Sequence, residues 1–299
     1  MSDSLDLPAL LESWTLHLKA ERKSPQTIKS YTDGVRAFVA YCEREGIPPV
    51  LDRATVNAFT AALLDDGREA STVRSRQLGV RRFSAWLAEE EEIDRDELLG
   101  LKPPKLDHKV VERLSDEQCR ALIQACGGKA FRERRDEAIV RFMLEAIVRA
   151  GEVVDMTVSG IDLAHGSAVI RGKGRKGRVV PFGPQTGRAI DRYLRLRKAH
   201  RLADTDQLWL GDRGKGFTYY GLHSALKYRA ELAGIEGFHP HLTRHTAAQR
   251  WLSAKGSEGG LMTVAGWTRR DMLDRYTQAT AAERAAAEAR GLNLGDFGS

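Results

Sequence analysis

The chain has 299 residues, 42% of them hydrophobic and 29% charged, with a formal net charge of +6; these are ordinary values for a globular protein of about two domains and exclude a disordered or fibrous chain. No apolar run reaches the length of a bilayer span, and the opening segment MSDSLDLPALLESW lacks the basic-then-apolar order of a secretory signal. Three cysteines, Cys42, Cys119 and Cys126, are too few and too scattered for a disulfide scaffold or a zinc module, which points to a reducing cytoplasm.

From the N-terminus, Leu7, Leu10, Leu11, Trp14 and Leu18 recur every three to four residues and predict a first helix. Ile28, Tyr31, Val35, Phe38, Val39 and Cys42 predict a second. Ser24 opens it as N-cap with Pro25 in the first turn, and Gly46-Ile47-Pro48-Pro49 stops it. A third helix runs from about Ala54 to Leu64. A fourth begins at Ser71 and turns Val73, Val80, Phe83, Trp86 and Leu87 inward. Four such helices make a small helical domain over residues 1–100. The acidic run Glu89–Glu97 reads as a solvated helix end and loop, facing away from any nucleic acid.

Leu101-Lys102-Pro103-Pro104-Lys105 opens a linker over 101–111, since two prolines exclude helix. A second domain follows over 112–280. Ser115, with Glu117 in the next turn, opens a helix to about Ala125. Another helix runs from about Arg132 to Ile147 with Ala138, Ile139, Phe142, Met143 and Ala146 inward. Two short β runs then flank a glycine-rich turn between Gly166 and Pro181, the pattern of a hairpin. Helices resume over about Thr186–Arg201, Tyr219–Leu232 and Pro240–Ala254, and an alanine-rich tail helix occupies Ala281 to Gly291. The charge is divided unevenly. Residues 1–100 carry 13 Lys and Arg against 18 Asp and Glu, a net of −5, and the rest of the chain 34 against 23, a net of +11. A basic second part suits a binder of phosphate backbone.

Three segments of this part could carry chemistry. The turn Gly172-Lys173-Gly174-Arg175-Lys176-Gly177-Arg178 packs four cations into six residues, and its glycines let a phosphate approach. It lacks the GxxxxGK[ST] order of a nucleotide-binding loop, and a plain solvated turn is the alternative. His239, His241 and His245 surround Arg244. The three-residue offset puts His241 and Arg244 on one helix face. A zinc site is the weaker reading, because the glutamate of HExxH is missing. Tyr276 follows Asp274-Arg275, downstream of Gly266-Trp267. Alone it would be a packing residue; near Arg and His it could be a nucleophile.

Together these pieces resemble the tyrosine recombinase, or phage integrase, family. The family's second box matches His241-Leu242-Thr243-Arg244-His245, then Gly266-Trp267, then Tyr276 nine residues after the tryptophan. Arg149-Ala150-Gly151-Glu152 matches its first box, and Lys173 fills the lysine position of its Gly-Lys-Gly hairpin. Ser24, Thr27 and Tyr31, with Ser71 to Arg74, Arg81 and Phe83, match its core-binding domain. The likeness spans about residues 5–277 and is nearest to actinobacterial and actinophage members. Trp267 replaces the commoner histidine, Thr243 the usual leucine, and Val148 and Ala150 flank Arg149 unusually.

The resemblance implies a mainly α chain: a four-helix SAM-like core-binding domain followed by a mixed α+β catalytic domain with a small β-sheet or hairpin. It implies site-specific recombination of DNA through a 3′-phosphotyrosine and a Holliday junction, with no cofactor and no metal. Tyr276 would attack, Arg149 and Arg244 would clamp the phosphate, and His241 would serve as acid or base toward Tyr276. Lys173 would protonate the leaving oxygen, and Trp267 would donate to the phosphate. Glu152 would orient Arg149 or His245, and His245 would be structural. DNA contacts would fall on Lys23, Thr27, Lys29, Arg74, Arg76, Arg81, Arg175 and Lys176. The expected partners are double-stranded DNA with paired sites, three further copies in a tetramer on DNA, and a directionality factor; no membrane is involved. The expected location is the cytoplasm, with the nucleoid or in a host if phage-encoded. The tail at 281–299 would dock on a neighbouring protomer. The start close to the core-binding domain, with no arm-binding domain ahead of it, would imply simple sites or directionality controlled another way. A Xer-type resolvase, a type IB topoisomerase, a non-catalytic DNA-binding protein that kept the fold and a metal hydrolase are the alternatives.

Overall fold

The computed structural model describes residues 5–106, 112–172, 177–277 and 281–292. The chain divides into two compact units, Met1–Lys109 and Val110–Ser299.

The first unit is four helices: α1 (Leu7–Ala20), α2 (Pro25–Glu45), α3 (Arg53–Asp65) and α4 (Ala70–Glu89). Local chemistry sets their ends. The Asp6, Ser24 and Asp52 side chains accept from the backbone N–H groups of Ala9, Thr27 and Thr55, satisfying donors that a helix start leaves open. Gly46 ends α2 in the left-handed conformation at φ +65°. The apolar stripes meet in one core of Leu7, Trp14, Val35, Phe38, Phe59, Val80, Phe83 and Leu87. Trp14 lies between Tyr31, stacked at 5.9 Å, and Phe83 at 5.1 Å. In the acidic run, Glu89 to Glu92 are exposed as expected, but Asp96 turns back to accept from Ser84 Oγ at 2.6 Å.

The second unit holds α5 (Asp116–Gln124), α6 (Phe131–Glu145), α7 (Ala150–Val154), β1 (Ile161–Asp162), β2 (Ser167–Arg171), β3 (Gly177–Pro181), α8 (Pro184–Arg197), α9 (Tyr219–Leu232), α10 (Pro240–Ser253), α11 (Glu258–Ala265), α12 (Asp271–Thr277) and α13 (Ala281–Leu292). Ser115 caps α5, but Gln118, not Glu117, closes the reciprocal capping box. The strands form an antiparallel sheet in the order β1-β2-β3, with Ala168 opposite Val180 and Ile170 opposite Arg178. The sheet packs into the same core as α6, whose Ala138, Ile139, Phe142 and Met143 are all buried.

Charged residues are also buried here. Asp136 of α6 accepts from Arg135 and from Arg229 Nε at 2.9 Å. The buried Arg197 donates to the carbonyls of Ala203, Thr205, Gln207 and Leu208. Each of these guanidiniums is thereby hydrogen-bonded, though Arg229 Nη2 has no partner among the described residues; such bonds are the condition for burying the charge at all. A second, smaller core gathers Ile147, Ala247, Leu252, Leu261, Ala265, Trp267, Leu273 and Tyr276. It joins the α6–α7 turn to α10, α11 and α12 and forms the floor of the site.

Candidate active site

Arg149 sits at the N-cap of α7. Its backbone N–H donates to Glu152 Oε2 at 2.8 Å and its Nη1 to Glu152 Oε1 at 2.9 Å. The Arg149 side chain remains 44% exposed while Glu152 is 8% exposed, so Arg149 presents its charge to solvent from a buried anchor. Arg244, on α10, is 2% exposed. It donates to the carbonyls of Ile147 at 2.5 Å and Ala265 at 2.9 Å, and Glu152 Oε2 lies 3.9 Å away. Burial, and then Arg149, push its pKa down to about 10, so it stays charged at neutral pH.

The Ile147 backbone is unusual. Its φ is +54° and its side chain is fully buried, a costly combination for a β-branched residue. That conformation presents its carbonyl to Arg244 two residues before Arg149 begins α7.

Tyr276 is nearly buried. Its ring stacks on Trp267 at 5.1 Å and 21°, and Trp267 in turn lies under Arg244, 5.6 Å from Cζ to ring centroid. The Tyr276 hydroxyl meets His245 Nδ1 at 2.5 Å. Burial raises the Tyr276 phenol above its ordinary range, against the pull of Arg244, Arg275 and Arg149. His245 is pushed down to about 4 by burial, then by His241 and His239, and is therefore neutral at pH 7. His241 contacts the His245 ring edge-on at 4.4 Å, and burial lowers its pKa as well. Trp267 Nε1 is buried and has no hydrogen-bond partner among the described residues.

The histidine touching Tyr276 is His245, which the sequence reading took as structural, and His241 lies against the His245 ring. An i,i+4 pair shares a helix face, and the rotamers decide which ring reaches the phenol. Glu152 holds Arg149, as one reading had it, but not His245. It holds Arg178 instead, a residue the sequence reading passed over as one cation among four in the hairpin.

Two family models match: the phage integrase family over residues 112–283, and the phage integrase N-terminal SAM-like domain over 11–91. The chain belongs to the phage integrase family. Relatives of this integrase-family chain are tyrosine recombinases. It is 27% identical over 247 residues to tyrosine recombinase XerC of Pseudomonas syringae pv. syringae, covering 82% of each chain. It is 29% identical over 256 residues to XerC of Azotobacter vinelandii, covering 83% of each. Its fold is similar to that of XerH site-specific recombinase bound to a palindromic difH substrate, with a TM-score of 0.75 at 16% identity over 93% of this chain and 83% of that one.

In this phage-integrase chain, Arg149, Glu152, His241, Arg244, His245, Trp267 and Tyr276 converge on one site of the second unit. Lys173, Arg175 and Lys176 lie outside the described residues. The other expected DNA contacts all belong to the first unit. Lys23 and Arg74 are exposed. Thr27 bonds Ser24 Oγ at 2.7 Å, and Lys29 pairs with Asp33 at 2.6 Å. Arg76 is half-buried and helps lower the Asp33 pKa, to which the hydrogen bond from Lys29 contributes most. Arg81 is half-buried, and its Nε has no partner among the described residues. The three cysteines are buried free thiols. Among the described residues no cluster of His, Cys, Asp and Glu could hold a metal, and no helix is long and apolar enough to cross a membrane.

Proposed function

We propose that this tyrosine recombinase cuts and rejoins double-stranded DNA at paired specific sites, with Tyr276 as its nucleophile. The observation that carries the reading is the stack of Arg244, Trp267 and Tyr276 beside the exposed guanidinium of Arg149. In the proposed reaction Tyr276 Oη attacks a DNA phosphorus and gives its proton to the neutral pair of His241 and His245, of which His245 contacts the hydroxyl directly. The bond from phosphorus to the 5′ oxygen breaks, and Lys173, its role resting on the family pattern, returns a proton to that oxygen. The products are a 3′-phosphotyrosine and a free 5′ hydroxyl. The 5′ hydroxyl of a partner strand then reverses the step on the new junction. Phosphodiester energy is kept in the ester throughout.

The five-coordinate transition state carries extra negative charge on its non-bridging oxygens. Arg149 and Arg244 supply fork-shaped donors for it, and Trp267 Nε1 a further one. Each preorganised donor of this kind is worth ~3–4 kcal/mol. Four strands are cut in a complete exchange, so the reading includes a tetramer on two DNA sites, with α13 and the tail to 299 docking on a neighbouring copy. A directionality factor and a cytoplasmic, nucleoid-associated location belong to the same reading.

The names and coverage of the XerC relatives favour a second reading within the same chemistry, a resolvase of replicon multimers rather than an integrase. The DNA neighbouring the gene separates them, since an attachment site beside phage genes is expected only for the integrase.

The chemistry itself is tested by covalent trapping. A duplex selected by binding from a randomised pool, nicked beside the cleavage position, should form a denaturation-resistant adduct with the wild type. Tyr276→Phe should form none while binding the duplex with unchanged affinity. Adduct formation by that variant would exclude Tyr276.

A further inference from the structure

Glu152 is a buried carboxylate set between cations, and it poses an electrostatic problem for the reaction. Paired with Arg149 alone, it would cancel the charge that Arg149 must offer to a phosphate. Arg178, the second residue of β3, meets this carboxylate end-on: Nη1 donates to Oε1 at 3.0 Å and Nη2 to Oε2 at 2.9 Å. Its Nε donates to the carbonyl of Val264 in α11 at 2.7 Å. Arg178 is 15% and Glu152 8% exposed. Gly266 leaves room for the guanidinium: a Cβ there would stand 3.2 Å from Arg178 Cδ and Nη1, at a backbone φ of +65°. The next residue is Trp267.

We infer that Arg178 is a positioning residue for the strand-transfer reaction, neutralising Glu152 so that the charge of Arg149 is left for the scissile phosphate. The inference rests on the recombinase reading above. Three guanidiniums, Arg149, Arg178 and Arg244, share one carboxylate, which leaves two uncancelled positive charges where a phosphorane with two charged oxygens would form. Without Arg178 the count falls to one, and Glu152 closes on Arg149. Burial alone would raise the Glu152 carboxyl; the Arg178 hydrogen bonds and the Arg149 N–H outweigh it and hold the group below the ordinary carboxylate range. Bidentate geometry makes the pair an orienting one, because Arg178 fixes both carboxylate oxygens, and Arg149 donates to the same two. Through Val264 and Gly266 the same guanidinium ties β3, five residues after Lys173, to the segment bearing Trp267.

The test compares wild type, Arg178→Met and Arg178→Lys in single-turnover adduct formation on the nicked duplex. A second duplex carries a methylphosphonate at the scissile position, where a neutral methyl replaces one charged oxygen. Arg178→Met should form adduct at least tenfold more slowly on the phosphate duplex, with DNA affinity within twofold. On the methylphosphonate duplex the deficit relative to wild type should shrink below threefold, because less positive charge is needed. Arg178→Lys should recover little of the phosphate rate, since a point cation cannot hold two oxygens and a carbonyl together. If the methionine variant does not fold, Arg178→Gln, which also removes the charge, carries the same comparison. Equal deficits on both duplexes would mean a merely structural role and overturn the inference, as would wild-type rates in a folded variant. A wild type that forms no adduct with the phosphate duplex would overturn the recombinase reading and the inference with it.

Discussion

At the scale of single residues, the site depends on how Arg244 is held. Its two Nη groups reach carbonyls of different segments, Ile147 before α7 and Ala265 at the end of α11. Lysine has one donor head and cannot span both. Arg244→Lys should therefore lower single-turnover cleavage by about 10²–10³-fold, with DNA affinity changed only a few-fold. Near-normal cleavage by a folded Arg244→Lys protein would remove Arg244 from the site. Arg149, His241, Arg244, Trp267 and Tyr276 were legible in the sequence because their order and spacing form a pattern. Arg178 was not, because one cation in a run of four carries no local sign of what it pairs with. The contact between His245 and Tyr276 was hidden for another reason: the helix period puts both histidines on one face, and only packing selects between them.

At the scale of elements, the first unit shows where sequence periodicity succeeds and where it stops. All four of its helices were legible from apolar repeats and caps. What brings α2 against α4 was not. Gly34 and Gly79 face each other across that crossing. A Cβ on Gly34 would lie 2.6 Å from the Arg76 carbonyl oxygen, and one on Gly79 would lie 2.5 Å from that of Tyr31. Backbone cannot yield as a flexible side chain can, so the helices would have to part. Gly34→Ala and Gly79→Ala should each destabilise the protein by about 1–3 kcal/mol, despite the better helix propensity of alanine. Thermal unfolding should show this as a fall of at least ~4 °C in the transition of the helical unit; an unchanged or higher midpoint would mean the crossing tolerates a methyl. In the second unit α7, α11 and β1 escaped the sequence reading. The first has five residues and the last two, too short for a period, and α11 carries Gly259 and Gly260, which lower its propensity. The α6 helix was found from its apolar face, yet it also buries Arg135, Asp136 and Glu137, which no amphipathic pattern announces.

At the scale of the whole molecule, the site's desolvated groups couple stability to acid. His245 binds a proton only near pH 4 in the folded chain, against an ordinary value of 6.5, and His241 is shifted in the same direction. Between about pH 6.5 and 4 the unfolded chain therefore holds more protons than the folded one. Folding stability must rise with pH across that window and be lost as pH falls through it. Glu152 adds to the loss at the lower end: its folded pKa lies below 4.5, so its contribution is present above the unfolded value and disappears as the carboxylate protonates. For His245 alone the effect is on the order of 1–2 kcal/mol, once its partial exposure is discounted. His245→Gln keeps an oxygen that can accept from the Tyr276 hydroxyl but cannot titrate. Urea unfolding of the full chain at pH 7.5 and pH 5 should show the wild type losing stability between the two, and His245→Gln losing less by that amount. A glutamine variant with the wild-type pH slope would mean that His245 takes up its proton in the folded protein as readily as in the unfolded chain. The close His245–Tyr276 contact would then not be the neutral pair from which the proposed proton transfer starts.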